Sequence, residues 1–312
     1  MAASVSANLH RPSGRSSLGL TLALATVSLW AVLPVGLKVA LGGLDAMTLT
    51  WIRFTGAAIT LGAVMQARGR TPRFDHFARG HWMLMAVAAA GLAGNYGLYA
   101  LGLHLTNAST AQVLIQVAPM LFTLGGIFLF RERFTRLQWT GFAILVTGLA
   151  LFSSDQISHM VAGLDRYYRG VGVLMISAVS WAAYGLAQKQ LLERLAAPQI
   201  MLCLYAAGAL IFAPLASPSM LLAMSGTQVA ALVFCTVNML ISYATFSEAL
   251  AHVEASRVSA LLAAVPLATL AAVHAASAVA PDIFAPESVS SVGLTGAALV
   301  VSGSLLTSLG KG

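Results

Sequence analysis

The sequence predicts an all-α integral membrane protein of about ten transmembrane helices, built as two inverted five-helix repeats around a central cavity. Three observations lead there. Of the 312 residues, 58% are hydrophobic and 9% charged, whereas soluble domains carry about 25% charged residues. The charges cluster in short stretches between apolar runs of roughly 20 residues, the length a helix needs to cross the hydrocarbon layer. The second half of the chain also repeats features of the first at nearly constant spacing. The alternating ten-residue segments of a β-barrel are absent, and helices satisfy their own backbone groups where no water reaches them.

The apolar runs place spans at 18–41, 46–66, 80–103, 108–130, 137–153, 169–192, 199–216, 226–250, 256–280 and 290–308. Connections such as Leu105-Thr106-Asn107 are short, so sequential helices are antiparallel. The first run follows Arg11 and Arg15, as a cleaved leader would. It is long for a leader and its counterpart later in the chain is a span, so it reads as an uncleaved first helix. The chain then divides into a tail (1–17), a first repeat (18–153), an outer connecting loop (154–168), a second repeat (169–308) and a tail (309–312).

Charge orients the bundle. With the N-terminus inside, the inner face receives Arg11, Arg15, Arg68, Arg70, Arg73, Arg79, Arg131, Arg133, Arg136, Lys189, Arg194, Arg257 and Lys311. The outer face receives Arg166 and Arg169 beside Asp155 and Asp165, while Lys38 and Arg53 stay within or near spans. This bias puts both termini in the cytoplasm. It also accounts for the net charge of +7 without nucleic acid as a partner. Cys203 and Cys235 both fall in apolar runs and read as small buried hydrophobes.

Trp51, Trp82 and Trp139 fall near span ends, where indole rings anchor at headgroups. Trp30 and Trp181 fall near mid-span, and aligning them reveals the repeat. At their offset of 151, Lys38 meets Lys189 and Pro34 meets Gly185. At an offset of 147, Tyr96 meets Tyr243, Tyr99 meets Phe246, Ala108-Ser109 meets Ala255-Ser256, and Pro119 meets Pro266. At 155, Gly141 and Gly148 meet Gly296 and Gly303. Each half holds an odd number of spans, so the second enters the membrane from the opposite side, the architecture of many secondary transporters.

The stretch Ala100-Leu101, Asn107-Ala108-Ser109, Ala118-Pro119, Phe130-Arg131-Glu132-Arg133, Gln138, Gly141, Gly148 resembles an EamA repeat of the drug/metabolite transporter superfamily. The resemblance covers both halves and is stronger in the first. Where the first has Glu132 after its fourth span, the second has Ala278-Val279-Ala280 and an inserted loop from Pro281 to Ser288. The resemblance implies ten spans, a central cavity, a bacterial inner-membrane location and export of amino acids or related metabolites.

Trp30 and Trp181, at equivalent positions of inverted halves, could form two walls of one cavity; packing against lipid or a neighbouring helix is the plainer alternative. Tyr96 and Tyr99 share one helical face, and Tyr243 and Phe246 repeat it. An aromatic-lined cavity suits neutral or aromatic amino acids, whereas an aromatic core between helices would need no ligand. Asn95, Asn238, Ser242 and Tyr184 lie near these rings, either as cavity groups or as hydrogen bonds between helices. Lys38, Lys189 and Arg53 either snorkel to headgroups or attract a carboxylate along the pathway. Glu248 is the acidic candidate for proton coupling, unless it pairs with Lys189 or Arg257. Pro34 with Gly185, and Pro119 with Pro266, mark paired kinks that are either hinges or static bends. Gly141, Gly148, Gly296 and Gly303, spaced by seven in each pair, give smooth stripes for close helix packing.

No GxxxxGK[ST] loop is present, which excludes ATP as the direct energy source, and no HExxH or GxSxG motif suggests hydrolysis. Histidines and cysteines are too scattered for a zinc site. The sequence therefore points to a secondary transporter without cofactor, whose partners are a small-molecule substrate and the lipid bilayer. Export of amino acids, neutral and aromatic favoured, is the first expectation. A permease for a drug, a nucleotide-sugar or another metabolite is the alternative, and a membrane-embedded enzyme is disfavoured.

Overall fold

The computed structural model describes residues 15–74, 77–130, 135–158, 164–253, 258, 261–262, 264–281 and 290–309. The Arg131-Glu132-Arg133 motif, Arg257, most of the inserted loop and most of both tails lie outside the described residues. Among the described residues no strand occurs. The helices are α1 (Ser16–Ala40), α2 (Ala46–Ala67), α3 (Arg79–Leu105), α4 (Ala108–Leu114), α5 (Val117–Phe130) and α6 (Arg136–Ser158). They continue with α7 (Leu164–Leu191), α8 (Ala197–Phe212), α9 (Gly226–His252), α10 (Val265–Val279) and α11 (Ser291–Leu309).

Six of them, α1, α2, α3, α7, α8 and α9, are long and apolar enough to cross a membrane, and shorter apolar helices occupy 110–122, 136–152, 265–279 and 291–306. Ile59, Met83, Leu210 and Val279 lie exposed on the exterior. So apolar an outer surface suits lipid rather than water.

Helix starts follow local polar chemistry. Asp45 caps α2 by accepting from the backbone N–H groups of Met47 (2.8 Å) and Thr48 (2.9 Å), and also from the Thr48 hydroxyl. Partial burial works against the charged form of this carboxylate, but the hydrogen bonds from Thr48 and Met47 outweigh it and hold its pKa below the ordinary value. Asn107 caps α4 through Thr110 N–H at 2.8 Å. Reciprocal side chain to backbone pairs, Thr135 with Gln138 and Ser225 with Gln228, open α6 and α9.

Helix pairing respects the internal duplication. Helix α1 packs on α9, and α3 on α7. Likewise α5 packs on α7 as α10 packs on α1, while α2 pairs with α8 and α6 with α11. Exchanging the two halves maps this set of partners onto itself. The α6–α11 seam is closed by glycines: a Cβ on Gly148 would stand 2.7 Å from Gly296 O, and one on Gly296 would stand 2.8 Å from Gly148 O.

Several sequence expectations are corrected. The fourth span is not one helix over 108–130 but α4 and α5, broken at Ile115-Gln116. Pro119 brings no N–H to the Ile115 carbonyl, which accepts from Ala118 N–H (2.8 Å) while Gln116 N–H turns onto Val113 O (3.2 Å). The ninth span also turns just before its proline. Residues 261–262 are helical, Ala264 turns onto Leu261 O (3.0 Å), and α10 starts just before Pro266. The seventh span stops at Phe212, and 3₁₀ turns at Ala213–Leu215 and Pro218–Ala223 follow it, each carrying a proline. Asp155 belongs to α6 rather than to a solvated loop. It is buried and accepts hydrogen bonds from the Ser290 hydroxyl and N–H at the start of α11.

Candidate functional site

A cavity of about 90 Å³ lies between the two halves. Its wall takes Trp30, Leu33 and Leu37 from α1, Arg53 from α2, and Asn95, Tyr96 and Tyr99 from α3. Gln112 of α4, Ile115, Gln116, Ala118 and Pro119 of the broken fourth span, Trp181 of α7, Tyr243 of α9, and Leu262 and Val265 of the broken ninth complete it. The α1 residues come from the half of that helix away from its N-terminus, so the cavity is displaced toward the α1–α2 and α3–α4 connections.

Aromatic rings close the opposite side. Trp30 meets Trp181 edge-on with centroids 6.2 Å apart, and lies 5.4 Å from Tyr243 and 5.5 Å from Phe246. Trp181 in turn lies 5.5 Å from Phe246 and 6.0 Å from Phe122. One turn further toward the α1 N-terminus, the hydroxyls of Thr26 and Thr245 share a hydrogen bond of 2.8 Å. Gln188 donates to the Ser247 hydroxyl at 2.6 Å on the same side. The rings and the Thr26–Thr245 bond thus join the two halves on that side of the cavity.

Two glutamines hold the cavity's broken backbone. Pro34 brings no N–H to the carbonyl four residues earlier, that of Trp30. Gln112 supplies the missing donor, its Nε2 reaching Trp30 O at 3.3 Å. Pro266 strands the Leu262 carbonyl in the same way, and Gln116 Nε2 reaches it at 3.2 Å. Gln112 lies near the end of α4 and Gln116 in the break that follows it, so the broken fourth span repairs a proline defect in each half. Gln112→Leu is expected to cost about 1–3 kcal/mol, the penalty of a buried unpaired carbonyl. Adding Pro34→Ala should recover most of the loss by restoring the helical N–H. Thermal unfolding of the four proteins of this cycle in detergent checks the coupling; a double variant no more stable than Gln112→Leu would refute it.

Of the residues singled out in the sequence, Trp30, Asn95, Tyr96, Tyr99, Trp181, Tyr243, Arg53 and Pro119 line this cavity. Tyr184, Ser242 and Phe246 do not. The Tyr184 ring sits 6.3 Å behind Trp181 with its hydroxyl on Met201 Sδ (3.7 Å), and Ser242 donates back to Met239 O (3.4 Å). Phe246 touches the far side of the Trp30–Trp181 pair. Asn95 also joins α3 to α7 through Ser177 (2.9 Å), and Asn238 joins α9 to α1 through Leu29 O (2.8 Å). Lys38, Lys189 and Glu248 stand away from the cavity. Glu248 pairs with His252 of its own helix (3.3 Å), not with Lys189. It lines a second, larger space of about 610 Å³, together with Arg68, Arg70, Arg73 and Arg194. Helix α7 runs through Gly185 without a break, and that glycine accommodates the Phe122 ring, which a Cβ would meet at 3.0 Å. α1 is likewise continuous through Pro34. Sequence reasoning missed Gln112 and Gln116, although two glutamines at helical spacing inside an apolar run were a visible signal. Among the described residues no cluster of His, Cys, Asp or Glu could hold a metal.

The EamA-like transporter family pattern matches residues 17–154 and again 168–309. The chain is 34% identical over 297 residues to the "Uncharacterized inner membrane transporter YhbE" of Escherichia coli (strain K12), covering 95% of this chain and 92% of that protein. It is 32% identical to an "Uncharacterized transporter" of Haemophilus influenzae, over 94% of this chain and 95% of that one. A 191-residue stretch, 61% of each protein, is 29% identical to a "Probable terminal-alkyne amino-acid exporter" of Streptantibioticus cattleyicolor. A crystal structure superposes with a TM-score of 0.64 over 95% of this chain and 96% of its own at 20% identity, a likeness of fold.

Proposed function

The chain belongs to the EamA-like transporter family, and from that premise we propose that it is a secondary exporter of amino acids, neutral and aromatic ones favoured, in a bacterial inner membrane. The observation that carries this reading is the cavity shared by both halves, walled by Trp30, Tyr96, Tyr99, Trp181 and Tyr243 and holding one guanidinium. Aromatic walls with a few polar tips suit amphipathic ligands. The partial likeness to an amino-acid exporter supports the same substrate class. In this reading the whole chain looks most like the bacterial aromatic amino-acid exporter YddG.

In this reading ten spans form two inverted five-helix repeats with both termini in the cytoplasm. The ring cluster and the Thr26–Thr245 bond then close the cytoplasmic side, and the cavity lies toward the outer face. Access alternates when the halves rock and the closure moves across the site, with the breaks just before Pro119 and Pro266 as bending points. The arginine-lined space beside Glu248 forms the cytoplasmic approach, where positive charge gathers carboxylates.

Purified protein in liposomes preloaded with unlabelled L-phenylalanine should take up labelled L-phenylalanine by counterflow, saturably and without chemical change. Absence of flux across a panel of neutral and aromatic amino acids would overturn the substrate assignment. Flux of a nucleotide-sugar or cationic drug instead would redirect it.

A further inference from the structure

Arg53 is 2% exposed, so its head does not reach the surface and snorkelling does not explain it. Its Nε donates to Cys235 O on α9 at 3.3 Å, and its guanidinium carbon lies 4.8 Å from the centroid of the Tyr96 ring. These contacts fix the group without neutralising it. Nη2 is buried and has no hydrogen-bond partner among the described residues, and the same is true of the hydroxyl of Tyr99, another residue of the cavity wall. No Asp or Glu lines the cavity among the described residues, and Arg53 is the single charged group there.

A guanidinium does not shed its proton, and an unpaired buried charge is costly in a low-dielectric core. The missing partner is therefore an anion brought by the ligand. Resting on the reading of this cavity as the transport site, we propose that Arg53 is its carboxylate-binding residue, with Tyr99 as a second donor. The ligand's other end meets no carboxylate. An ammonium there would face the rings of Trp30, Trp181 and Tyr243, which attract a cation less strongly than a charge-assisted guanidinium bond holds a carboxylate. The site thus selects for the carboxylate and tolerates the amine.

The test begins with wild-type protein in liposomes and compares two competitors of labelled L-phenylalanine. 3-Phenylpropionate keeps the carboxylate and lacks the amine; 2-phenylethylamine has the reverse. The acid is expected to compete at about tenfold lower concentration or better, as a charge-assisted bond implies. Equal potency, or a stronger amine, would overturn the assignment. Arg53→Gln should raise the KM for L-phenylalanine about tenfold or more, and Arg53→Lys should recover part of that loss. An unchanged KM in a folded Arg53→Gln protein would sink the proposal, while the competitor experiment decides the matter if that variant does not fold. If wild-type protein carries no amino acid at all, the proposed function fails, and melting of the detergent-solubilised protein judges the arginine separately. Stabilisation by 3-phenylpropionate, but not by 2-phenylethylamine, chloride or inorganic phosphate, supports a carboxylate site. No selective stabilisation overturns it.

Discussion

Gly296→Leu is expected to leave almost no monodisperse protein. The reason is the absence of any side chain that could move aside. A Cβ at this position would stand 2.6 Å from Phe152 N and 2.8 Å from Gly148 O, both backbone atoms of α6. Overpacking against side chains costs about 1–3 kcal/mol. Here two helix axes must separate along a whole seam, so the cost exceeds that range. Gly148→Leu should fail equally, because its Cβ would meet Val300 N at 2.6 Å on the facing helix. Gly172→Leu is the control. Nothing lies within 4 Å of a Cβ there, and leucine is the better helix former. Fluorescence-detected size-exclusion chromatography of the three proteins gives the comparison, and a well-behaved Gly296→Leu protein would contradict the seam.

Trp30→Ala and Trp181→Ala are expected to reduce amino-acid flux per folded molecule by about tenfold or more, the loss that follows when a close aromatic contact to ligand is deleted. Their stabilities should diverge. Trp181 is 5% exposed and packs on Phe122, Tyr184 and Phe246, so its truncation also costs about 3–5 kcal/mol. Trp30 is half-buried at the cavity and should lose flux at a smaller stability cost. Phenylalanine at position 30 should retain part of the flux by keeping a ring against Tyr243. Counterflow normalised to folded protein, paired with thermal unfolding, separates the two effects. Wild-type flux through Trp30→Ala would remove that ring from the pathway.

Much of this arrangement could be read from residue order. Apolar run lengths located the long helices to within a few residues, and matching Trp30 with Trp181 found two rings that stand 6.2 Å apart. The failures have physical causes. Pro119 announced a disturbance, but the break lies at Ile115-Gln116 because a proline strands the carbonyl one turn earlier. Helical spacing put Phe246 on the face of Tyr243, and Tyr184 and Ser242 were singled out only as polar groups near the rings. The spacing could not reveal that Phe246 packs against Trp30 and Trp181 rather than lining the cavity. Arg53 carried two readings because burial of an intramembrane charge is decided by its neighbour, here α9 through Cys235. The His252 partner of Glu248 was visible at i,i+4 and was passed over for charges more distant in sequence.

The bond between Gln112 and the Trp30 carbonyl has a consequence for heredity. At the offsets that relate the halves, Pro34 answers to Gly185 and Gln112 to Ser259. The first half holds both this proline and its glutamine, and the second half holds a counterpart of neither. A substitution that removes either residue alone would strand a polar atom inside the bundle, so changes at the two positions are coupled.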